Sequence, residues 1–135
     1  MRTTETLRKS KATVEYNADL SAVHITWNGY VSSAEYRAYI EEGLTLFSAK
    51  KASYWIADMK EMKIITFEDQ KWTIENWTPR ALKAGVKSFL MVVSEDIFNQ
   101  IAVQNMHETL NLGEGKSLFF KTLAEAQQCL RDHRR

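Results

Sequence analysis

Residues able to carry chemistry are scattered along this 135-residue chain. Histidines stand at positions 24, 107 and 133, and the single cysteine is Cys129. A metal centre needs such ligands at short, regular spacing, as in HExxH or a carboxylate-rich loop, and neither pattern occurs. A Cys–His nucleophile needs a thiolate stabilised by a helix N-terminus or a nearby cation. Cys129 falls inside a C-terminal helical pattern and reads as a small, semi-buried apolar residue. The pairs Glu68-Asp69 and Glu95-Asp96 each open a helical pattern, where negative charge complements the helix dipole. Gly113-Glu114-Gly115 reads as a turn, and no GxSxG elbow, P-loop or GxGxxG is present. The sequence therefore predicts no catalytic, cofactor-binding or metal-ligating set, and a protein that is not an enzyme.

Ligands of open α/β sheets bind at the carboxyl ends of parallel strands. Here those positions are Asn28-Gly29-Tyr30, Asp58-Met59-Lys60, Ser94 and Lys121-Thr122. They supply one acid, two lysines and hydroxyls. Such a set suits a small polar ligand or a partner loop, but it contains no nucleophile–base pair. An enzyme built on Asp58 and Lys60 would lack that pair.

The elements that position these residues follow from hydrophobic period. Ala12, Val14 and Tyr16 alternate with Lys11, Thr13 and Glu15, which predicts a half-buried strand. Asn17-Ala18-Asp19 turns the chain into a second strand, Leu20 to Trp27, completing an antiparallel hairpin. On that second strand Val23, Ile25 and Trp27 share one face, and Ala22, His24 and Thr26 the other. Ser32 or Ser33 caps a helix with Tyr36, Ile40, Gly43, Leu44 and Phe47 on one side. Gly43 in that stripe implies close approach to the sheet. A third strand spans Ser53 to Asp58, and a loop occupies 59–65.

Thr66 caps a second helix, which Gly85 stops. The continuous run Phe89-Leu90-Met91-Val92-Val93 predicts a central strand covered on both faces. Ser94 caps a third helix reaching about Leu110. Ser117 to Lys121 is the last strand, and Thr122 with Glu125 boxes the start of the final helix. The order β-β-α-β-α-β-α-β-α predicts an α/β class: one mixed sheet of about five strands covered by about four helices. Residues 1–10 are polar and expected to be disordered, with a single domain over 11–135.

Composition narrows the partners. Hydrophobic residues make up 44% and charged residues 26%, and 18 basic against 17 acidic side chains leave a net charge of +1. No global charge draws the chain to nucleic acid or anionic lipid. No apolar run approaches the ~18 residues of a membrane span, so stable membrane insertion is not expected. One cysteine and a polar N-terminal segment without a signal-peptide core predict a soluble, cytoplasmic protein.

This order of elements resembles the SpoIIAA-like (STAS/SEC14-like) superfamily over residues 12–133. The stretches most similar to it are Tyr54-Trp55-Ile56-Ala57-Asp58, Glu68-Asp69-Gln70-Lys71-Trp72, Trp77-Thr78-Pro79-Arg80-Ala81, Ala84-Gly85 and Phe89 to Phe98. The resemblance implies a mixed sheet with packed helices and a non-enzymatic module. Relatives include partner-binding regulators such as anti-sigma factor antagonists, and SEC14-like proteins that hold apolar or lipid ligands. The regulators carry a phosphorylatable serine after the third strand, in an Asp-Ser motif. This chain has Asp58-Met59-Lys60 there, so the aspartate matches and the serine does not.

Surplus apolar residues point to partners. At about 100° per residue, Phe67, Ile74, Trp77, Ala81 and Gly85 share one side of the second helix. Trp72 falls opposite, with Asn76, Pro79 and Lys83. Trp72 is either a contact residue or covered by the 59–65 loop. Pro79 either kinks the helix or stands at the first position of a new one capped by Thr78. On the third helix Ile97, Phe98 and Ile101 face the sheet, while Val103, Met106 and Leu110 form a second stripe. A helix apolar on two sides is covered twice. The leading expectation is thus a regulatory or signalling module that binds a protein partner and forms a homodimer. Its contacts would lie at Asp58, Lys60, Trp72, Pro79, Ser94, Val103, Met106 and Leu110. The alternative is a carrier or sensor of a small apolar or lipid-like ligand held between helices and sheet.

Overall fold

A computed structural model describes residues 4–8, 12–29, 31–62, 66–95, 111–112 and 115–133. Its strands are β1 (Thr4–Arg8), β2 (Ala12–Asn17), β3 (Ala22–Gly29), β4 (Tyr54–Met62), β5 (Ser88–Val92), β6 (Asn111–Leu112) and β7 (Gly115–Phe120). They form one mixed sheet in the order β1-β2-β3-β4-β5-β7-β6. The hairpin β2–β3 is antiparallel, as the short turn requires, and β3, β4, β5 and β7 run parallel.

The five expected strands are present as β2, β3, β4, β5 and β7, with two short strands added at the edges. Within residues 1–10, expected to be disordered, Thr4–Arg8 is described as a strand that pairs antiparallel with β2. The segment TETLR has no apolar alternation of its own. The open hydrogen-bonding edge of β2 recruits it.

The helices are α1 (Ser33–Lys50), α2 (Phe67–Trp72), α3 (Thr78–Ala84) and α4 (Leu123–His133), and α2 runs into α3 through a π-helical turn, Thr73–Trp77. The described residues thus hold three helical rods where four are expected. The helix expected from Ser94 to about Leu110 lies, apart from Ser94 and Glu95, outside them. Ser32 caps α1 in a full capping box with Glu35, and Lys51 closes it in the left-handed region. Thr66 caps α2 through the Asp69 amide, and Gly85 ends α3 at φ 109°. At α4, Thr122 accepts from the Glu125 amide, while Glu125 reaches back to the Lys121 amide.

Right-handed crossovers stepping one way along the sheet put α1 and the α2–α3 rod on the same face. There Val23, Ile25, Trp27, Trp55 and Phe89 pack with Ile40, Phe47, Trp77 and Ala81. The other face carries Ala22, Ile56, Leu90 and Val92 under Ala126 and Leu130 of α4. α1 lies so close to β4 that a Cβ on Gly43 would overlap the Trp55 indole.

The π turn changes the reading of the second rod. Pro79 has no amide hydrogen, and its ring crowds the carbonyl four residues back. The chain answers by widening the preceding turn, with the Thr78 amide donating to Thr73. Thr78 keeps helical angles (φ −58°, ψ −44°), so it does not cap a new helix. The wider turn shifts the helical phase, as π-bulges do. Trp77 and Ala81 are buried as expected, but Ile74 leaves their shared side and is 64% exposed.

Candidate functional site

The structure separates the residues singled out in the sequence. Asp58 lies inside β4, which continues to Met62, so the expected 59–65 loop is a strand over its first four residues. Those residues are Met59, Lys60, Glu61 and Met62, with no apolar alternation to mark a strand. The Asp58 carboxylate accepts from the Lys60 amide at 3.3 Å, a local turn-like contact at the surface. Lys60 and Pro79 are exposed, and Ser94 is half-buried just past β5. The parallel strands β3, β4, β5 and β7 never reverse direction along the sheet, so no switch-point crevice opens at their carboxyl ends. Val103, Met106 and Leu110 lie outside the described residues.

Trp72 is half-buried, and among the described residues α1 lies against it. The Arg37 guanidinium sits 4.8 Å from the Trp72 ring centroid, a cation–π contact. Arg37 also donates to Asp69, which is 3% exposed and accepts from the Ser33 hydroxyl at 2.7 Å. Burial pushes the Asp69 carboxyl up, but hydrogen bonds from Ser33, Arg37 and Thr66 and the Arg37 charge outweigh it, and its pKa falls below the usual 3.8. Asp69 therefore clamps the N-terminus of α2 onto that of α1. One turn further on, the Tyr36 hydroxyl meets Thr73 Oγ1 at 2.7 Å, and Thr73 donates in turn to the Asp69 carbonyl at 2.7 Å.

Directly below that network, between the π turn and the sheet, is a cavity of about 180 Å³. β3 contributes Ile25 and Trp27, β4 contributes Trp55, Ala57 and Met59, and β5 contributes Phe89 and Met91. Tyr36 and Ile40 of α1 form one side, and Thr73, Ile74, Trp77 and Thr78 form the roof. The aromatic walls are mutually braced. Trp77 lies edge-on to Trp55 at 4.7 Å and to Phe89 at 6.1 Å, and Trp27 stacks on Tyr36 at 5.2 Å. The Trp77 indole N–H is satisfied by the Ile40 carbonyl at 3.1 Å. No carboxylate, ammonium, guanidinium or imidazole lines the space among the described residues. Sequence analysis places a small apolar ligand between helices and sheet but names none of these walls. The cluster of three tryptophans, Trp27, Trp55 and Trp77, is the signal that could have found them.

The opposite face carries a polar cluster. His24 Nδ1 lies 3.2 Å from Glu15 Oε1 across the hairpin, and its Nε2 lies 3.1 Å from Thr26 Oγ1. Burial lowers the His24 pKa below 6.5, and the carboxylates of Glu15 and Asp58 raise it only in part. The neutral imidazole then donates from Nδ1 to Glu15 and accepts at Nε2 from Thr26. This hydroxyl–imidazole–carboxylate chain has the form of a nucleophile relay. Asp58 of β4 stands in register with Thr26. The sequence pattern places His24 on a strand face with Ala22 and Thr26 without a role, and the Glu15–His24 register of the hairpin was the signal for the pair. Among the described residues no group of three or more His, Cys, Asp or Glu side chains could hold a metal ion. No helix among them is long and apolar enough to cross a membrane.

No family model matches this chain, and no curated protein matches it. Among solved structures it is similar to an uncharacterised protein of the DUF3478 family with a SpoIIAA-like fold from Shewanella loihica PV-4. The two share 13% identity and a TM-score of 0.55, over 94% of this chain and 91% of the other. A likeness at that identity shows the fold, which is SpoIIAA-like, as the order of elements implies.

Proposed function

We propose that this SpoIIAA-like domain is a non-catalytic binding module whose cavity under the π turn takes a small apolar ligand. The observation that carries the reading is the cavity itself: about 180 Å³ walled by tryptophans, phenylalanine and aliphatic side chains, without a charged side chain among the described residues. Ligand pockets are mostly apolar, largely preformed and supplied with a few polar groups. Here the hydroxyls of Thr73, Thr78 and Ser117 fill that polar role. The one relay-like chain, Glu15–His24–Thr26, lies on the other face, away from this space.

Native mass spectrometry of the purified protein, followed by calorimetric titration with a panel of apolar compounds, tests the proposal. Retention or saturable binding of at least one compound, lost on filling the cavity by Ala57→Leu, is the expected result. A protein that arrives empty and binds nothing in the panel would sink it. Self-association is a separate proposal that rests on the second apolar stripe, Val103, Met106 and Leu110. Light scattering of the wild type and a Val103→Glu, Met106→Glu variant checks it, and two monomers would end it.

A further inference from the structure

We infer that the ligand is a compact, uncharged aromatic compound of one or two fused rings, and not a long acyl chain. This rests on the proposal that the cavity binds a ligand, and three features of the cavity select the class.

Size comes first. An apolar cavity of about 150 Å³ takes up benzene. The present space, about 180 Å³, admits a molecule of that order or slightly larger. A sixteen-carbon chain has nearly three times the heavy atoms of benzene and exceeds it.

Charge is the second feature. Burying an ion without a partner is costly. Among the described residues the polar side chains of the lining are hydroxyls and the satisfied Trp77 indole, and the Tyr36 hydroxyl already bonds to Thr73. A carboxylate or ammonium inside would have no counter-charge from these walls.

The third feature is wall geometry. Trp55, Trp77 and Phe89 already meet edge to face, at interplanar angles of 64° and 60°. A further flat ring continues that arrangement, which stabilises aromatic pairs beyond their buried area. A flexible chain gains no such orientation-dependent term and loses more rotamer freedom on entry. Met59 and Met91, both half-buried, and the exposed Ile74 stand at the edge of the space. Flexible methionine side chains adapt to rings of different outline.

Calorimetric titration with toluene, indole and naphthalene, set against 1-hexadecanol, tests the inference. The wild type is expected to bind at least one ring compound saturably and to leave hexadecanol unbound. Ala57→Leu on β4 and Ser117→Leu on β7 reduce the same space from different strands, and each is expected to weaken ring binding at least tenfold. Two variants keep the test open if one fails to fold. Hexadecanol binding without ring binding would overturn the aromatic assignment and leave the proposed function standing. Binding of neither class would overturn both. Equal ring affinity in the wild type and a folded cavity-filling variant would place the rings elsewhere and overturn the inference.

Discussion

The Arg37 side chain donates from Nε to Oδ1 of Asp69 at 3.0 Å, joining the first turn of α1 to the first turn of α2. The same carboxylate takes the Ser33 hydroxyl, so α1 holds it at two points. Removing it leaves Arg37 and Ser33 without their acceptor and frees the start of the rod that roofs the cavity. Asp69→Ala is expected to cost about 3 kcal/mol, the lower end for a broken buried pair, because Arg37 is partly solvated. Since the folded carboxyl is held below 3.8, its contribution is present above that value and is lost as pH falls through the folded pKa. Urea unfolding of wild type and Asp69→Ala at neutral pH and near pH 3 checks both points. The gap between them should narrow in acid.

Gly43→Ala should destabilise, against the usual trend. In an exposed helix interior alanine gains about 1 kcal/mol over glycine. Here the added methyl overlaps the Trp55 ring, which also lines the cavity and must give way. A cost of about 1–3 kcal/mol is expected, typical of overpacking. Ligand binding should fall with it. Thermal melts and titrations on the same variant report the two effects.

Stability should drop below neutral pH through His24. Its folded pKa is depressed by burial, so near and below pH 6.5 the unfolded chain binds a proton that the folded chain refuses. The folded state therefore loses stability as pH falls through 6.5, and the loss levels off once the folded pKa is passed. His24→Gln should flatten this part of the profile. Melting temperatures between pH 7.5 and pH 5 check it, and equal slopes in both proteins would contradict it.

Thr73→Val should cost about 1–3 kcal/mol, because the Tyr36 hydroxyl is left without a partner beside an apolar space. Tyr36→Phe added to it should restore part of the loss. A double-mutant cycle by denaturant unfolding measures the coupling, and strict additivity would show that the pair does not interact.

The strands were legible where burial imposes a period. Val14, Val23, Ile25 and Trp27 announce the hairpin, and the unbroken run around Leu90 announces the central strand. Caps at Ser32, Thr66 and Gly85 were legible because each needs a particular residue type. Gly43 revealed the close approach of α1 to the sheet for the same reason, and the structure shows the strand to be β4. Ile74 was misplaced because a uniform step of about 100° per residue has no allowance for a π turn. The Arg37 contact on Trp72 was hidden because it comes from 35 positions earlier, on an element whose angle to the rod no local pattern encodes. The cavity was legible only as a place. Its walls arise from six chain segments whose side chains stop short of filling the space.

Three of the four tryptophans, Trp27, Trp55 and Trp77, stand in the wall of that space, and the fourth lies under Arg37. The domain is therefore its own optical reporter. Indole emission follows its surroundings, so a guest in the space would alter the light of three tryptophans at once. Trp72, held outside by a guanidinium, supplies an internal reference in the same spectrum.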